Sequence, residues 1–205
     1  MLAAIGTVGL RLLTDRYDRQ VVKEQLLDPS ARRERTAVSG PLNYLLIGSD
    51  QRPDNRSPDQ RSDTILIVHL PAGLHRAYLI SIPRDLLVAI PPAANGYGGG
   101  TDKINAAYRH GGGGEAGTRL LSATLTRLTG VRFDGAALID FSGFRKVIDL
   151  LGGIRMCLDT EVRSIHTGTL FSQGCQQMDG ARALDFVRQR YDLPGGDYDR
   201  QRHQQ

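Results

Sequence analysis

The chain has 205 residues, of which 40% are hydrophobic and 23% are charged. This length fits one domain of ordinary size, and the composition gives no indication of disorder, collagen or a coiled coil. A formal charge of +4 and a pI of about 9.3 permit nucleic acid, anionic lipid or pyrophosphate as partners, without choosing among them.

The N-terminal residues are an apolar stretch followed by a polar one. Residues 2–13 are apolar apart from an arginine, and they are too few to span a bilayer, which requires about 20 apolar residues. They are typical either of the remainder of a membrane anchor or of a surface helix. The charged segment that follows predicts a stalk. We therefore expect residues 1–42 to be an anchor remnant with a stalk, and residues 43–205 to be the folded domain.

Short apolar runs and longer helical periods alternate along the domain. The runs at residues 44–48, 64–68, 78–82 and 136–139 predict strands, because they are short and rich in β-branched side chains. The leucine spacing over residues 115–129 predicts a helix that the glycine at position 130 closes.

A second helix is predicted to carry Phe144, Val147 and Leu151, with Ser142 as its cap and two glycines as its end. Helices of this length between strands predict an α/β fold, a three-layer α-β-α sandwich with a central mixed sheet.

Polar residues stand at the ends of three predicted strands. Asp50 follows the first, Arg61 and Asp63 open the second, and Arg84 with Asp85 closes the third. Loops at strand ends converge in layered α/β folds, so these residues predict one site that holds carboxylates and guanidinium groups. Two carboxylates can share Mg²⁺, and arginines can neutralise a phosphate. The alternative is a set of surface ion pairs, each worth under about 1 kcal/mol.

Further cationic candidates lie downstream. Lys103, which Asn105 could orient, stands at a predicted helix start. If Arg188 and Arg190 serve one anion, the chain must leave the helix of residues 179–184 before them and become extended, since alternate residues face the same way only on a strand. One further set is spaced three and four residues apart, which places its members on a single helical face: Asp197, Arg200 and Gln204. The alternative is a solvated basic helix.

The two cysteines, Cys157 and Cys175, are compatible with a disulfide in an exported domain or with two buried thiols in a cytosolic one. A zinc site is disfavoured, because no CxxC pair or matched histidines accompany them.

The motifs also occur in an order that resembles one family. They are Asn43–Asp50, Arg61–Thr64, Ser81–Asp85, Lys103–Tyr108, Asp149–Gly153, Val187–Arg190 and Gly196-Asp197. As an ordered series they are similar to the LytR-CpsA-Psr family, the cell envelope-related transcriptional attenuator domains.

The resemblance implies a membrane-anchored enzyme on the extracytoplasmic face of the cell membrane. Such enzymes transfer a phosphorylated glycan of the teichoic acid, capsule or arabinogalactan type from a polyprenyl-pyrophosphate carrier to peptidoglycan, with Mg²⁺ as cofactor. The fold it implies is a central sheet between helices with an apolar cavity for the polyprenyl tail. Because family members continue past position 204, we expect the domain to lack its C-terminal part and the fragment itself to have little or no activity.

The resemblance assigns the family's functional roles to the matching positions of this sequence. The resemblance implies that Asp50 and Asp63 hold Mg²⁺ and that the arginines clamp the pyrophosphate. Asp85 and the substrate itself are both candidates for the base. The clamp and its supporting residues are Arg61, Arg84, Arg188, Arg190, Lys103, Asp197, Arg200 and Gln204.

Two other functions stay open at this stage. One is a cell-envelope-linked transcriptional regulator, although no helix-turn-helix, zinc finger or aromatic stacking motif is found and aspartates alternate with the arginines, so we expect no nucleic-acid partner. The other is a non-catalytic module that binds polyprenyl phosphate or glycan.

Overall fold

The computed structural model describes residues 23–34, 40–49 and 62–189, and of Asp63 only the backbone. Within these ranges the chain forms ten strands and four helices. The strands are β1 Leu42–Ser49, β2 Ser62–Leu70, β3 Tyr78–Ser81, β4 Leu87–Ile90, β5 Gly100–Lys103, β6 Gly135–Ile139, β7 Ile154–Leu158, β8 Val162–Arg163, β9 Leu170–Phe171 and β10 Gly174–Met178. The helices are α1 Ile104–His110, α2 Gly114–Thr129, α3 Phe141–Leu150 and α4 Gly180–Val187.

The main sheet has four strands in the order β3-β2-β1-β6. β1 pairs antiparallel with β2 and parallel with β6, and β2 pairs antiparallel with β3. The three remaining pairs, β4-β5, β7-β10 and β8-β9, are antiparallel two-stranded ribbons. The predicted three-layer α/β fold with a mixed central sheet is confirmed.

One face of the main sheet is fully covered. Leu45 and Ile47 of β1 and Ile65 and Ile67 of β2 are at most 4% exposed, in one core cluster with apolar residues of α1 and α2. On the opposite face the side chains alternate with these and are only partly buried, although they too are apolar: Tyr44, Leu46, Leu66 and Val68. The sheet therefore has one packed face and one face with accessible apolar surface.

A second core lies between α3, α4 and the β7-β10 ribbon. Its most deeply buried members are Phe171, Met178 and Ala183, each 0% exposed, and the Phe171 ring meets the Phe186 ring edge-on at 5.5 Å. This core fixes α4 against α3, the helix that directly follows β6.

Of three predicted helix ends, the structure confirms one and differs at two. Gly130 closes α2 in the left-handed conformation, with φ of 73°, as the sequence predicts. The predicted cap Ser142 is wrong, because Asp140 caps α3 by accepting a hydrogen bond of 2.6 Å from the Gly143 amide. α4 extends to Val187, three residues beyond its predicted end at residue 184.

The segment before β1 belongs partly to the domain. Ala31 is 0% exposed in the first core, and the Arg33 amide donates to the Phe133 carbonyl at 2.8 Å. These contacts attach residues that the polar pattern assigned to a stalk. None of the helices in the described ranges has the length and apolarity needed to cross a bilayer.

Candidate functional site

Four strand termini meet at one end of the main sheet. β1 ends at Ser49 where its antiparallel neighbour β2 begins, and β3, antiparallel to β2, ends on the same side. β6 runs parallel to β1, with Gly48 opposite Ile139, so its last residue also lies there. We call this the site end, and the described residues of the three predicted strand-end motifs belong to it.

Of the predicted site residues, four are described with their side chains: Arg84, Asp85, Lys103 and Arg188. Asp63 is described by its backbone alone. The others lie outside the described residues: Asp50, Arg61, Arg190, Asp197, Arg200 and Gln204. Their assigned roles therefore stay predictions.

The backbone of Asp63 occupies an irregularity of the β1–β2 pair. Gly48 is opposite Thr64 but Ser49 is opposite Ser62, which leaves Asp63 as an extra residue on β2. Such bulges redirect side chains at the ends of sheets. On the other side of β2, the Ile82 amide donates to the Ile65 carbonyl at 2.9 Å. Beyond Ile82 the chain turns, with the Leu86 amide donating to the Pro83 carbonyl at 3.0 Å, so Arg84 lies in the turn that follows β3.

A compact group of charges, the Arg84 cluster, follows β3. It consists of Arg84, Asp85 and Lys103. The Lys103 Nζ donates to the Asp85 Oδ1 at 2.9 Å, and the Arg84 Nε lies 3.4 Å from the Asp85 Oδ2. Asp85 therefore orients both cations. The predicted orientation of Lys103 by the Asn105 side chain is not found; the backbone N–H of Asn105 donates to the Arg84 carbonyl at 3.1 Å.

Backbone hydrogen bonds bring Lys103 to Arg84 from 19 positions away in the sequence. β4 pairs with β5 so that Leu87 lies opposite Lys103. The first amide of α1, that of Ile104, donates to the Leu86 carbonyl at 2.8 Å. The start of α1 is thereby attached to the turn after β3.

The environment of Asp85 keeps it ionised. The hydrogen bond from Lys103 lowers the pKa of Asp85 from its ordinary value of 3.8; burial opposes this effect, and the charges of Arg84 and Lys103 add to it. A carboxylate with a lowered pKa is a weak base. Its side chain is 47% exposed, so solvent screens these interactions and their worth to stability is small.

Arg188 lies at the opposite edge of the main sheet, beside the residue that begins α3. Its guanidinium carbon lies 4.5 Å above the centre of the Phe141 ring, a cation–π geometry. Phe141 is the first residue of α3, two positions after the last residue of β6. Arg188 keeps helical backbone angles, with φ of −89° and ψ of −6°, so the extended conformation expected there is not found.

The two described cationic groups flank the site end. Arg84 follows β3 at one edge of the main sheet and Arg188 lies over the residue that follows β6 at the other. Three strand spacings separate these strands, about 14 Å. Two arginine side chains can both reach a ligand that is held across this distance.

No group of three His, Cys, Asp or Glu side chains that could hold a metal ion occurs in the part of the chain that the structure describes. The donor chemistry predicted for Mg²⁺ nevertheless fits this location. Asp50 directly follows the last residue of β1, and Asp63 is the extra residue of the bulge. Mg²⁺ is commonly held by one or two carboxylates, with waters and phosphate oxygens as its other ligands.

Sequence reasoning missed the residues that hold Arg188 in place. Phe141 is an aromatic residue directly after a strand and its cap, but only the fold shows that Arg188 lies over it. The same is true of Gln189, which is 1% exposed. The sequence signal for Gln189 was its position between two arginines. A glutamine there is ordinarily exposed, so its burial is informative only once the fold is known.

The cysteines lie away from the site end. Cys157 of β7 is directly opposite Cys175 of β10, with Cα atoms 3.9 Å apart, and their sulfurs form a disulfide. The bond crosslinks the exposed face of the ribbon whose other face packs on α3 and α4.

The sequence matches the profile described as the LytR_cpsA_psr family over residues 14–205. The chain belongs to the LytR_cpsA_psr family. This match spans the strand-end motifs, the Arg84 cluster and Arg188 together.

The names of two similar proteins refer to the cell wall. The "Probable cell wall biosynthesis protein LcpB" of Corynebacterium glutamicum is 36% identical over 160 residues, which are 72% of this chain and 36% of that protein. The polyisoprenyl-teichoic acid–peptidoglycan teichoic acid transferase TagU of Bacillus cereus is 31% identical over 171 residues, 83% of this chain and 52% of that protein.

The fold of this LytR_cpsA_psr chain is also similar to solved structures. The crystal structure of B. subtilis TagU superposes with a TM-score of 0.59 at 28% identity, covering 80% of this chain and 62% of that one. The chain thus spans between about a third and about half the length of the curated relatives.

Proposed function

We propose that this LytR_cpsA_psr chain carries the catalytic site of an enzyme that transfers a phosphorylated glycan from a polyprenyl-pyrophosphate carrier to peptidoglycan. The observation that carries the proposal is the meeting of four strand termini at the site end, flanked by Arg84 and Arg188. The relatives' names, which concern cell wall biosynthesis and teichoic acid transfer to peptidoglycan, support the same reaction class. We place the enzyme on the extracytoplasmic face of the membrane, where peptidoglycan lies.

The substrate has two parts that match two surfaces. The pyrophosphate would lie at the site end, where Arg84, Lys103 and Arg188 supply positive charge. The polyprenyl chain would lie on the sheet face whose apolar residues are only partly buried, including Leu46, Leu66 and Val68. On the edge strand, Leu79 continues this face and is 42% exposed. Burial of apolar chain there would contribute roughly 25 cal/mol per Å².

In the reaction, an oxygen of a peptidoglycan sugar hydroxyl forms a bond with the glycan-side phosphorus. The bridging P–O bond breaks, and polyprenyl phosphate leaves with the electron pair. Arg84 and Arg188 neutralise the charge that spreads over the phosphate oxygens, which is the main protein contribution in phosphoryl transfer. Asp85 orients Arg84 and Lys103 through its contacts with both. Its lowered pKa makes it a poor proton acceptor. A phosphate oxygen of the substrate takes the hydroxyl proton.

Mg²⁺ bound by Asp50 and Asp63 would add further neutralisation of the pyrophosphate. Asp50 directly follows the last residue of β1, and Asp63 is the second residue of β2.

The test measures transfer from a short-chain polyprenyl-pyrophosphoryl glycan to a peptidoglycan oligomer by mass spectrometry, with and without Mg²⁺. Arg84→Ala should lower the rate by about 10²–10³-fold, as expected when a charge-stabilising donor is removed. Arg127→Ala is the matched control, because Arg127 is exposed in the last turn of α2, before the opposite end of β6. Normal turnover by Arg84→Ala would contradict the proposal.

A further inference from the structure

A buried polar network surrounds the end of α4. We call it the Ser164 network, and it consists of Ser164, Asp185 and Gln189, which are 3%, 8% and 1% exposed. The Ser164 hydroxyl donates to the Asp185 Oδ1 at 2.6 Å. The Gln189 Nε2 donates to the Asp185 carbonyl at 2.6 Å and to the Ser164 Oγ at 3.1 Å.

The network joins α4 to the turn between β8 and β9. The Gln189 Oε1 accepts from the Ile165 amide at 3.0 Å. The amides of His166 and Thr167 both donate to the Ser164 Oγ at 3.1 Å. The carbonyl oxygen and the amide nitrogen of the Gln189 side chain are thus both engaged, and they join the end of α4 to this turn.

Arg188 lies inside this arrangement. Its carbonyl is 3.3 Å from the His166 Nε2, and its two neighbours in the network, Asp185 and Gln189, lie three residues before and one residue after it. Its guanidinium is fixed separately over the Phe141 ring. The backbone and the charged end of the same side chain are therefore each held by other parts of the fold.

Stability alone does not explain a buried glutamine at this position. An apolar side chain of similar volume would avoid the cost of removing an amide from water. A fully paired polar group, in contrast, permits one geometry only, because any shift leaves a buried donor or acceptor without a partner. A residue that fixes geometry is useful beside an arginine that must meet a phosphate.

We infer that Gln189 is a positioning residue, which acts through the Ser164 network to hold Arg188 at the site end. The catalytic consequence rests on the proposed function, while the positioning itself does not. A misplacement of about 1 Å in a charge-stabilising group can cost about 10²-fold in rate. Losing the network should therefore lower kcat, although Gln189 itself touches no substrate.

The first measurement is independent of activity. In the ¹H–¹⁵N spectrum of the full chain, the Arg188 Nε–Hε signal, identified by its loss in Arg188→Lys, should be shifted upfield by the Phe141 ring. In Gln189→Met, which keeps the side-chain volume and removes the amide, this signal should move towards the other arginine signals. Ser164→Ala removes one hydroxyl only and should move the signal in the same direction if Gln189→Met does not fold.

The second measurement is the glycan-transfer rate of the same variants. Gln189→Met and Ser164→Ala should lower kcat by about 10- to 100-fold and leave KM within about twofold. Thr124→Val is the matched control, because Thr124 is buried in α2 and donates to the Leu120 carbonyl at 2.7 Å. It loses a buried hydrogen bond without touching α4, so its Arg188 signal and its kcat should stay unchanged.

An unmoved Arg188 signal in both Gln189→Met and Ser164→Ala would overturn the inference, and so would an equal movement in Thr124→Val. If the signal moves as expected but the unmodified chain transfers no glycan, the positioning role stands and the proposed function fails.

Discussion

The Arg84 cluster and the Ser164 network hold cations at the same end of the sheet in different ways. In the Arg84 cluster, a half-exposed carboxylate contacts two cations across water-accessible space. At Arg188, buried hydrogen bonds fix the backbone and an aromatic ring lies beneath the guanidinium. Exposed ion pairs are weak and screened, whereas buried polar groups are costly to disturb. The comparison teaches that one flank of the site can adjust and the other is rigid.

The largest expected effect concerns whether both flanks act on one ligand. Arg84→Ala and Arg188→Ala should each lower the transfer rate by about 10²–10³-fold, equal to about 3–4 kcal/mol. If both arginines contact one pyrophosphate, the double variant should lose clearly less than the product of the two effects. Single-turnover rates of the four proteins measure this coupling. Strict additivity would separate the two flanks into independent sites.

The next effect is on the free energy of unfolding. The same change, aspartate to alanine, is made in the Ser164 network here and in the Arg84 cluster below. Asp185→Ala should lower the free energy of unfolding by about 3 kcal/mol, because Ser164 and Gln189 lose a shared acceptor while buried, and Thr167 loses an acceptor at the surface. Urea denaturation measures it, at low and high salt. The loss should be nearly independent of salt, since the group is shielded from solvent. A loss below about 1 kcal/mol would show that the network is not rigid.

A smaller effect is expected at the aromatic contact. Phe141→Leu keeps an apolar residue at the start of α3 and removes the ring under Arg188, a contact worth about 1 kcal/mol. The transfer rate should fall about fivefold, and the same fall should be absent when Arg188 is already alanine. Such a double-variant comparison separates the ring contact from a general change at α3.

The smallest effect is expected for Asp85→Ala, which should change the free energy of unfolding by less than about 1 kcal/mol. Because the pKa of Asp85 is lowered from 3.8, the carboxylate stabilises the folded chain above that pH, and this contribution is lost as the pH falls further. The difference from wild type should also shrink in 1 M salt. A loss as large as that of Asp185→Ala, measured by the same denaturation, would remove the contrast between the flanks.

Local patterns predicted the fold well where short-range chemistry decides it. The apolar runs located β1, β2, β3 and β6, and Gly130 located the end of α2, because burial and backbone conformation act within a few residues. The cap of α3 was misplaced by two residues, since Ser142 and Asp140 are both good caps and only the position of the strand end chooses between them. The ribbons β4-β5, β7-β10 and β8-β9 were not predicted, because their strands are too short to give a clear local pattern.

The site was predicted less completely than the fold. Strand-end polarity placed Arg84 and Asp85, but the partner of Lys103 was taken to be Asn105, two residues away, when it is Asp85 across a ribbon. Gln189 and Phe141 had no assigned role, since the first depends on a turn between β8 and β9 and the second on the packing of α4 against α3. Contacts between distant segments follow from the assembled topology and leave little trace in local sequence.

The central claim is that both flanks of the site end enclose one pyrophosphate. The most direct measurement is a crystal structure of the chain with Mg²⁺ and a non-hydrolysable polyprenyl thiopyrophosphate. We expect the pyrophosphate within hydrogen-bond distance of both Arg84 and Arg188, with the polyprenyl chain on the sheet face that carries Leu46 and Leu66. A pyrophosphate bound away from these two arginines, or at only one of them, would contradict the account.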